Sequence, residues 1–458
     1  MAQNTKVTAD TNAPPITRIL AQFVATHPSR GFSDAVEHEA HRTLMNWVGC
    51  AIGAANHATL AAALAAVQEL APSAQATVLG RRERVDMASA ALLNGISSHT
   101  FDFDDTHLKT IIHPAGPVAS AALALGEHIG SSGRELIDAL VLGIDVACRM
   151  GNVVYPEHYD RGWHITGSTG MLGAAAACAR LLSLDADRTA MALGIAASQP
   201  VGVREQFGSM TKPFHPGAAA RAGLTSALMA KHGYTASPRA IEAPRGLAQT
   251  YSTKCAWNEI TDELGQRFEI SFNTYKPFAC GIVIHPSIDA CVQLRNAHGV
   301  GAQDIARIDL RVHPLVLELT GKKTPRTGLE AKFSVYHACA VGIIFGRAGE
   351  AEFADEIVAR DDVVALRGRV NAVSDDGMDE AAADVTLTLN DGRTHHVFVE
   401  HAIGSLERPM SADDLARKFH GLVDPVLGAA HADELIARCM DAASAASVRS
   451  LAALARPK

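Results

Sequence analysis

The sequence has few aromatic residues and no concentration of positive charge. Phe, Trp and Tyr make up 5% of the 458 residues, whereas alanine and glycine are abundant. The formal net charge is −8, and no basic run or stripe of alternating basic and aromatic residues is visible. This charge pattern argues against a nucleic-acid partner. The many small residues favour closely packed helices over a large pocket lined by aromatic rings.

Paired cysteines, a signal-peptide pattern and long apolar runs are also missing. The eight cysteines are scattered, and none forms a Cys-x-x-Cys pair, which excludes a zinc ribbon or a dithiol redox motif. The apolar stretches Val118–Leu125 and Leu136–Cys148 are too short or too interrupted to cross a bilayer. We therefore expect a cytoplasmic protein with free thiols and no membrane partner.

Two kinds of hydrophobic pattern alternate along the chain. From about Ile16 to about Ala256 the apolar residues recur at helical spacing, and this pattern returns from about Ser411. Around Ile308–Val312 apolar and polar residues alternate, which predicts a half-buried strand. The Asn390-Asp391-Gly392 turn predicts a β-hairpin.

A chain of 458 residues is too long for one simple core, so two domains are expected. The patterns predict a mostly α fold with a large all-helical domain from residues 1–272 and 403–458. Residues 273–402 are predicted to form a smaller α+β lid domain, inserted before the C-terminal helices.

In four places a His or Lys stands directly before a proline at, or within a turn of, the start of a predicted helix. Unpaired N–H groups and the positive end of the helix dipole make this a poor place for a cation, unless an anion docks beside it. Several such helix starts meeting in one cleft would bind a small polyanion. The pairs are His113-Pro114, Lys212-Pro213, His215-Pro216 and His285-Pro286.

The densest polar cluster runs from Asp102 to His107 and holds three carboxylates in four residues. It has three interpretations: a divalent-metal site, a surface turn that caps the next helix, or an active-site loop. We prefer the active-site loop, in which an Asp orients a neighbouring His and raises its pKa.

Two further segments carry candidate residues in the helical part. The run Gly162–Gly170 contains His164 and is rich in glycine and hydroxyl groups at a helix start, which suits an anion, although His164 could equally be a buried structural residue. Ser209 to Lys212 formally matches Ser-x-x-Lys, but the proline after Lys212 and the missing partner motifs argue against a serine hydrolase. Arg204 is a candidate for holding a carboxylate, or for an ion pair with Glu205 or Asp102.

The last candidate segment lies where the predicted lid domain begins. Lys276 and His285 flank this boundary, and ligands are often captured between domains. Closure of the lid would bring both side chains onto a substrate, although both could also be ordinary solvated residues.

In their order along the chain, these segments resemble the MmgE/PrpD family, whose members include cis-aconitate decarboxylases, 2-methylcitrate dehydratases and iminodisuccinate epimerases. No single segment is specific to the family, but their succession is, and it covers nearly the whole chain. The segments are Asp102–Thr106 with His113-Pro114, Gly162–His164, Met210–Pro213 with His215, Lys276–Cys280, His285–Asp289 and Thr327–Ser334.

The resemblance implies a helical domain with a smaller α+β lid, a homodimer, and catalysis without a metal ion or an organic cofactor. Two features depart from the family pattern. The loop between Thr106 and His113 is slightly longer than in decarboxylase-like members, and Gly281 stands where the vertebrate decarboxylase has a lid histidine. The Trp-rich loop typical of 2-methylcitrate dehydratases is absent. The residues that fall on active-site positions are Asp102, Thr106, His113, His164, Lys212 and Lys276.

The resulting hypothesis is a cofactor-independent lyase that acts on a small di- or tricarboxylate. Proton transfer next to a carboxylate needs a base near neutral pKa and fixed positive charge. We assign His113 and His164 as the acid–base pair and Asp102 as the group that orients His113. Lys212 neutralises a substrate carboxylate or stabilises the carbanion-like intermediate.

Four residues are assigned to substrate binding rather than to proton transfer. Thr106 is expected to donate a hydrogen bond to a substrate carboxylate, and Arg204 to hold one. Lys276 and His285 are expected to approach from the lid.

Three other functions remain open at the sequence level. An isomerase or epimerase would use the same proton chemistry and reprotonate the opposite face of the carbon. A carboxylate-binding protein without catalysis is disfavoured, because binding does not need two histidines that titrate near neutrality. A metal-dependent lyase is the fourth candidate.

Overall fold

The computed structural model describes residues 13–70 and 73–457, which contain 21 α-helices and eight strands. The helices are α1 (Ile16–Thr26), α2 (Asp34–Gly53), α3 (Ala58–Gln68), α4 (Met87–Thr100), α5 (Ala115–Ile129), α6 (Gly133–Val154), α7 (Glu157–Asp160), α8 (Ile165–Leu181), α9 (Ala186–Ala196), α10 (Thr211–Lys231), α11 (Leu247–Tyr251), α12 (Asn258–Thr261), α13 (His285–His298), α14 (Pro314–Thr320), α15 (Gly328–Ala331), α16 (Val335–Phe345), α17 (Asp355–Val358), α18 (Asp361–Arg367), α19 (Ala412–Leu427), α20 (Ala429–Met440) and α21 (Arg449–Leu454).

The strands form three small sheets. They are β1 (Ala76–Thr77), β2 (Arg84–Val85), β3 (Asp105–His107), β4 (Asn273–Tyr275), β5 (Ile305–Val312), β6 (Val370–Ser374), β7 (Ala383–Leu389) and β8 (Thr394–Val399). The fold is mostly α, as the sequence predicts. No single helix of the described residues is long and apolar enough to span a membrane, although α2 and α3, bent by 83°, reach that length and composition as a pair.

Small residues let the central helices α4, α8 and α10 pack closely. A Cβ atom on Gly95 of α4 would lie 2.5 Å from the Cα of Gly217 in α10. A Cβ atom on Gly223 of α10 would lie 2.4 Å from the Cβ of Ala174 in α8. Both distances are shorter than any normal carbon–carbon contact, so larger residues would force the helices apart. This packing brings the end of α4 and the starts of α8 and α10 together.

A two-stranded sheet joins the acidic cluster to the segment that precedes α13. β3 pairs with β4 in antiparallel register, and Thr106 lies opposite Thr274. The Thr274 hydroxyl donates to the Thr106 carbonyl at 2.8 Å. The chain around Asp102 and the chain around Lys276 are therefore held side by side, although they are far apart in sequence.

The predicted strand and hairpin are confirmed within a four-stranded sheet of order β6-β5-β7-β8. β5 runs parallel to β6 and antiparallel to β7, and β7 and β8 form the hairpin. The hairpin turn contains Gly392 with a φ of 87°, a conformation that glycine adopts readily. Helix α13 packs against β7 and β8, and α16 packs against α13.

The C-terminal helices return to the first helices of the chain. α19 and α20 pack against α2, and α21 packs against α5. Lys418 of α19 donates from its ammonium group to the carbonyls of Phe103 and Lys276, at 2.5 and 3.0 Å. The division into domains at residues 273 and 403 stays a prediction.

Candidate active site

A small, buried cavity lies where the ends of α4, α8 and α10 meet the segment after β4. Its volume is about 30 Å³, and its wall includes five Asp, His and Lys side chains. Aromatic rings of Tyr159, Phe207 and Phe333 form much of the remaining wall. These five residues are Asp102, His113, His164, Lys212 and Lys276.

Asp102 lies two residues after α4 in the left-handed region, with a φ of 50°. Asp tolerates this conformation better than most residues. One carboxylate oxygen lies 2.9 Å from the Lys212 ammonium and 2.6 Å from that of Lys276. Burial alone would raise the pKa of Asp102, but these two ammonium groups outweigh it and hold the pKa well below its usual range.

The two lysines differ in how their donors are used. Lys276 donates to the side chain and the carbonyl of Asp102 and to the carbonyl of Cys280, at 2.6, 3.1 and 3.1 Å. An ammonium has three N–H donors, so Lys276 has none left for a ligand. Lys212, in the first turn of α10, pairs only with Asp102 among the described residues and faces the rings of Phe207 and Phe333. Burial lowers the pKa of Lys212, against the opposing effect of Asp102.

His113 has one tautomer fixed by the backbone. Its Nδ1 lies 2.8 Å from the Asp105 carbonyl, which can only accept, so Nδ1 carries the proton. The other nitrogen of the neutral ring, Nε2, is then free to accept a proton. Burial lowers the pKa of His113 to about 3, with Asp104 opposing the shift and Lys276 adding to it.

His164 is the N-cap residue of α8, and its ring contacts a second histidine. Its Nδ1 lies 2.8 Å from Nδ1 of His215 in α10. Burial holds the pKa of His164 well below its usual range, with neighbouring His99 and Lys212 adding to the effect. The ring centroids of His113 and His164 are 6.4 Å apart in an edge-to-face arrangement, and both residues line the same cavity.

The three carboxylates of the acidic cluster have three different partners. Asp102 pairs with the lysines. Asp104 lies between two histidines, 2.7 Å from Nδ1 of His99 and 3.6 Å from Nδ1 of His113. Asp105 accepts from the Ala115 N–H at the start of α5 at 3.1 Å, which is the helix-capping role. Burial and the neighbouring Asp104 raise the pKa of Asp105 to about 7.

The predicted contact between Asp102 and His113 is therefore wrong. The carboxylate next to His113 belongs to Asp104, because the left-handed turn at Asp102 directs its side chain to the lysines. The prediction that an anion lies beside a cation at a helix start is met at Lys212, but Asp102 of the protein supplies that anion.

Three of the predicted substrate-binding residues do not line this cavity. The Arg204 guanidinium binds Glu318 at 2.5 Å and the Tyr159 carbonyl at 3.0 Å, instead of Glu205 or Asp102. The Thr106 hydroxyl lies behind the ring of His113, 3.3 Å from Nδ1. His285 is buried at the start of α13 and lines a neighbouring cavity.

The histidines and carboxylates could by spacing alone hold a metal ion. Ligand atoms of two groups lie within 4.8 Å of one another, namely His99, His113 and His164, and His99, Asp102, Asp104 and His113. The ammonium groups of Lys212 and Lys276 face the same space and already pair with Asp102. Their charge opposes a divalent cation and favours an anion.

Sequence reasoning missed His99, Asp104 as the partner of His113, and Lys418. Asp104 belongs to the acidic cluster, but the sequence did not indicate which of its three carboxylates lies beside His113. His99 could have been noticed as a histidine in the last turn of the helix before that cluster. Lys418 gave no local signal, because its contacts with Phe103 and Lys276 join distant parts of the chain.

Comparison with models of known protein families shows to which family this chain belongs. The N-terminal domain of MmgE/PrpD matches residues 18–260, and the C-terminal domain matches residues 278–442. The chain belongs to the MmgE/PrpD family. In this MmgE/PrpD protein the second match begins just after Lys276, so the cavity lies where the two matched regions meet.

Relatives of this MmgE/PrpD protein are named as decarboxylases, or proteins like them, and as dehydratases. A cis-aconitate decarboxylase-like protein of Aspergillus oryzae, oryM, is 26% identical over 98% of both chains. A cis-aconitate decarboxylase of Aspergillus terreus is 23% identical over 94% of both. The 2-methylcitrate dehydratase of Escherichia coli is 24% identical over 83% of this chain and 86% of its own.

Proposed function

We propose that this protein is a lyase that removes carbon dioxide or water from a small di- or tricarboxylate, without a cofactor. The observation that carries the proposal is one cavity lined by two histidines, His113 and His164, together with the cationic Lys212. His113 carries its proton on Nδ1, so Nε2 is the accepting atom. The relatives named as decarboxylases and dehydratases support a lyase over other classes.

The charges of the cavity suit a polycarboxylate. Lys212 has N–H donors that no described residue uses, so it can bind a substrate carboxylate by charge-assisted hydrogen bonds. An anion bound there also raises the pKa of His113 and His164 toward neutrality by attraction. The acid–base groups therefore become active when the substrate binds.

The two lyase reactions use the histidines differently. In dehydration, His113 Nε2 removes the proton next to a carboxylate, and His164 protonates the departing hydroxyl, so that water leaves. In decarboxylation, the bond to the leaving carboxyl group breaks, and its electron pair moves into the neighbouring unsaturated acid. His164 then protonates the carbon atom of the acid that carries this electron pair. No base is needed to begin the decarboxylation.

A second candidate is epimerisation of a dicarboxylate. Both His113 and His164 line the cavity, so two different histidines are available to one reacting carbon. One would remove the proton, and the other would return it to the opposite face.

Proton NMR in D₂O tests the proposal with cis-aconitate, citrate, 2-methylcitrate, itaconate and iminodisuccinate. Loss of a carbon or formation of an alkene supports the lyase. Deuterium incorporation without net conversion supports the epimerase. Binding of an acid without either change contradicts both and indicates a carboxylate-binding protein.

A further inference from the structure

Lys418 of α19 joins two separate parts of the chain beside the catalytic cavity. Its ammonium group donates to the carbonyl of Phe103 at 2.5 Å and to that of Lys276 at 3.0 Å. Phe103 stands between Asp102, which pairs with the lysines of the site, and Asp104, which lies beside its histidines. One side chain therefore holds the turn that carries these two carboxylates against the segment that carries Lys276.

This link lies where the strand pairing stops. The ladder between β3 and β4 ends at the pair of Asp105 and Tyr275. Beyond that pair, no backbone–backbone hydrogen bond of the described residues joins segment 102–104 to segment 276–278. The ammonium group of Lys418 thus holds the two segments together where the ladder no longer does.

Helix packing fixes the place from which Lys418 acts. The next residue, Phe419, packs against α2, and a Cβ atom on Gly49 of that helix would lie 2.7 Å from the Phe419 ring. Cys50 of α2 donates from its thiol to the same Phe103 carbonyl at 3.4 Å. Such close packing leaves α19 little freedom to move against α2. The position of the Lys418 ammonium is therefore set by the helical core.

The charge of Lys418 is buried without a carboxylate partner. Among the described residues it makes no ion pair, and its contacts are the two carbonyls and the face of the Phe103 ring, whose centroid lies 4.1 Å away. Burying an unpaired cation costs free energy that a neutral donor would not. The gain that offsets this cost is the greater strength of hydrogen bonds from a charged donor. The strength of the link therefore depends on the charged form of Lys418.

The surroundings of Lys418 leave it close to losing its proton. The titratable groups that face it are Cys50 of α2, Asp104 and Asp105 at the start of β3, Lys276 after β4 and His285 at the start of α13. Burial lowers the pKa of Lys418 to about 8, with Cys50 and the two carboxylates opposing the shift and Lys276 adding to it. The amine formed above this pH lacks the charge that strengthens both hydrogen bonds.

We propose that Lys418 is a positioning residue, whose ammonium group holds the turn of Asp102 and Asp104 in place and whose deprotonation sets the upper pH limit of turnover. Lys418 does not line the catalytic cavity, so it acts only through the residues of that turn. The inference rests on the proposed function, because it assigns a residue of the C-terminal helices to the same reaction.

Replacement of Lys418 should slow the reaction more than it weakens binding. In Lys418→Met both carbonyls lose their donor, and the turn that holds His113 is released. The value of kcat should fall roughly 10- to 100-fold, the usual result of displacing reacting groups by about 1 Å. KM should change less, because Lys212 is held by α10. The matched control is Arg417→Met, which removes an exposed cation that pairs with Asp414 on the same helix and should behave as the wild type.

The pH dependence of kcat separates positioning from packing. At saturating concentration of the acid that the NMR panel shows to react, kcat of the wild type should fall about tenfold from pH 7 to pH 9, as expected for loss of one proton at a pKa of about 8. Lys418→Arg carries a cation that keeps its proton in this range, so it should retain most of kcat at pH 7 and lose the fall. Lys212 adds little to the fall, because a bound carboxylate raises its pKa.

Amide hydrogen exchange gives a measurement that needs no turnover. Peptides from segments 101–107 and 273–281 should exchange about tenfold faster in Lys418→Met than in the wild type, since a charge-assisted hydrogen bond no longer opposes their local opening. Peptides of the β7–β8 hairpin, which lies elsewhere in the fold, should exchange as in the wild type. Arg417→Met should leave all of these peptides unchanged.

The outcomes separate this inference from the proposed function. Wild-type kcat in Lys418→Met, unchanged exchange in both segments, or an equal effect of Arg417→Met overturns the inference alone. A fall of kcat above pH 8 that persists in an active Lys418→Arg variant also overturns it. Turnover of no acid by the wild type contradicts the proposed lyase, whereas faster exchange of both segments in Lys418→Met would still support the link made by Lys418.

Discussion

The Nδ1 atoms of His164 and His215 lie 2.8 Å apart. Two lone pairs at this distance would repel, so one ring must carry its proton there. Burial lowers the pKa of His215 to about 4, so both rings are neutral at pH 7. When His215 is the donor, His164 carries its proton on Nε2, where it can serve as an acid. His215 thereby selects the form of His164 and acts as a positioning residue.

Substitution of His215 should affect the proton transfer more than the binding. His215→Phe removes the donor to His164, and kcat should fall roughly 10- to 100-fold, as for other groups that orient a reacting histidine, with little change in KM. His215→Asn keeps an N–H donor and should retain most of kcat. Steady-state kinetics across pH 6–9 checks this. A Phe variant with wild-type kcat would show that the histidine pair is only packing.

The two lysines should give different results when replaced. Lys212→Met removes the free donors for a carboxylate, and kcat/KM should fall about 10- to 100-fold, the range of a lost charge-assisted hydrogen bond. Lys276→Met should instead lower the free energy of unfolding by about 1–3 kcal/mol for each buried carbonyl left unpaired. Kinetics and urea unfolding of both variants distinguish these effects. Equal effects of the two variants on kcat/KM and on unfolding would contradict the assignment.

The free energy of unfolding should fall by at least about 2 kcal/mol between pH 7 and pH 5. Burial lowers the pKa of several histidines, so below pH 6.5 the unfolded chain binds protons that the folded chain does not. The stability is therefore complete above pH 6.5 and is lost as the pH falls toward the folded values. Those values are about 3 for His113 and His285 and about 4 for His158, His215 and His337.

Two buried carboxyl groups act in the opposite sense but are outnumbered. The pKa of Asp105 is raised to about 7 and that of Asp145 to about 6, so their contributions are lost as the pH rises. Urea unfolding at pH 7, 6 and 5 measures the balance. His337→Gln, which removes one titrating group away from the cavity, should make the slope shallower. A stability that rises from pH 7 to pH 5 would contradict the neutral state of these histidines.

Removal of divalent metals should leave turnover unchanged. Lys212 and Lys276 oppose a cation near Asp102, and the proposed steps need only proton transfer. Dialysis against EDTA, followed by an assay and by elemental analysis of the protein, checks this. Loss of activity that returns with Mg²⁺ or Zn²⁺ would indicate a metal at the histidine cluster instead.

Local patterns in the sequence predicted the secondary structure well. The alternation at Ile308–Val312 and the turn at Asn390–Gly392 correspond to β5 and to the β7–β8 hairpin. Ser33 caps α2 by accepting from the Val36 N–H at 3.4 Å, which is a local contact that serine commonly makes at a helix start. These features depend on residues that are close together in the chain, so a single sequence holds the information needed to predict them.

The site was harder to predict, because spacing does not give the direction of a side chain. Asp102 and Asp104 are two residues apart, yet one faces lysines and the other histidines, since the chain turns through a left-handed residue between α4 and β3. Arg204 and His285 lie close in sequence to residues that line the cavity, but their own side chains do not line it. Arg204 binds Glu318, and His285 lines the neighbouring cavity.

The most direct test of the account measures the rate of product formation in D₂O by proton NMR. It compares the wild type, His164→Ala and His113→Ala. The account predicts one deuterium on the protonated carbon of a decarboxylation product, and a roughly 10²- to 10⁴-fold slower reaction for His164→Ala. In dehydration, His113→Ala should be slowed as strongly. Wild-type rates in both variants would contradict the assignment of these histidines as the acid and the base.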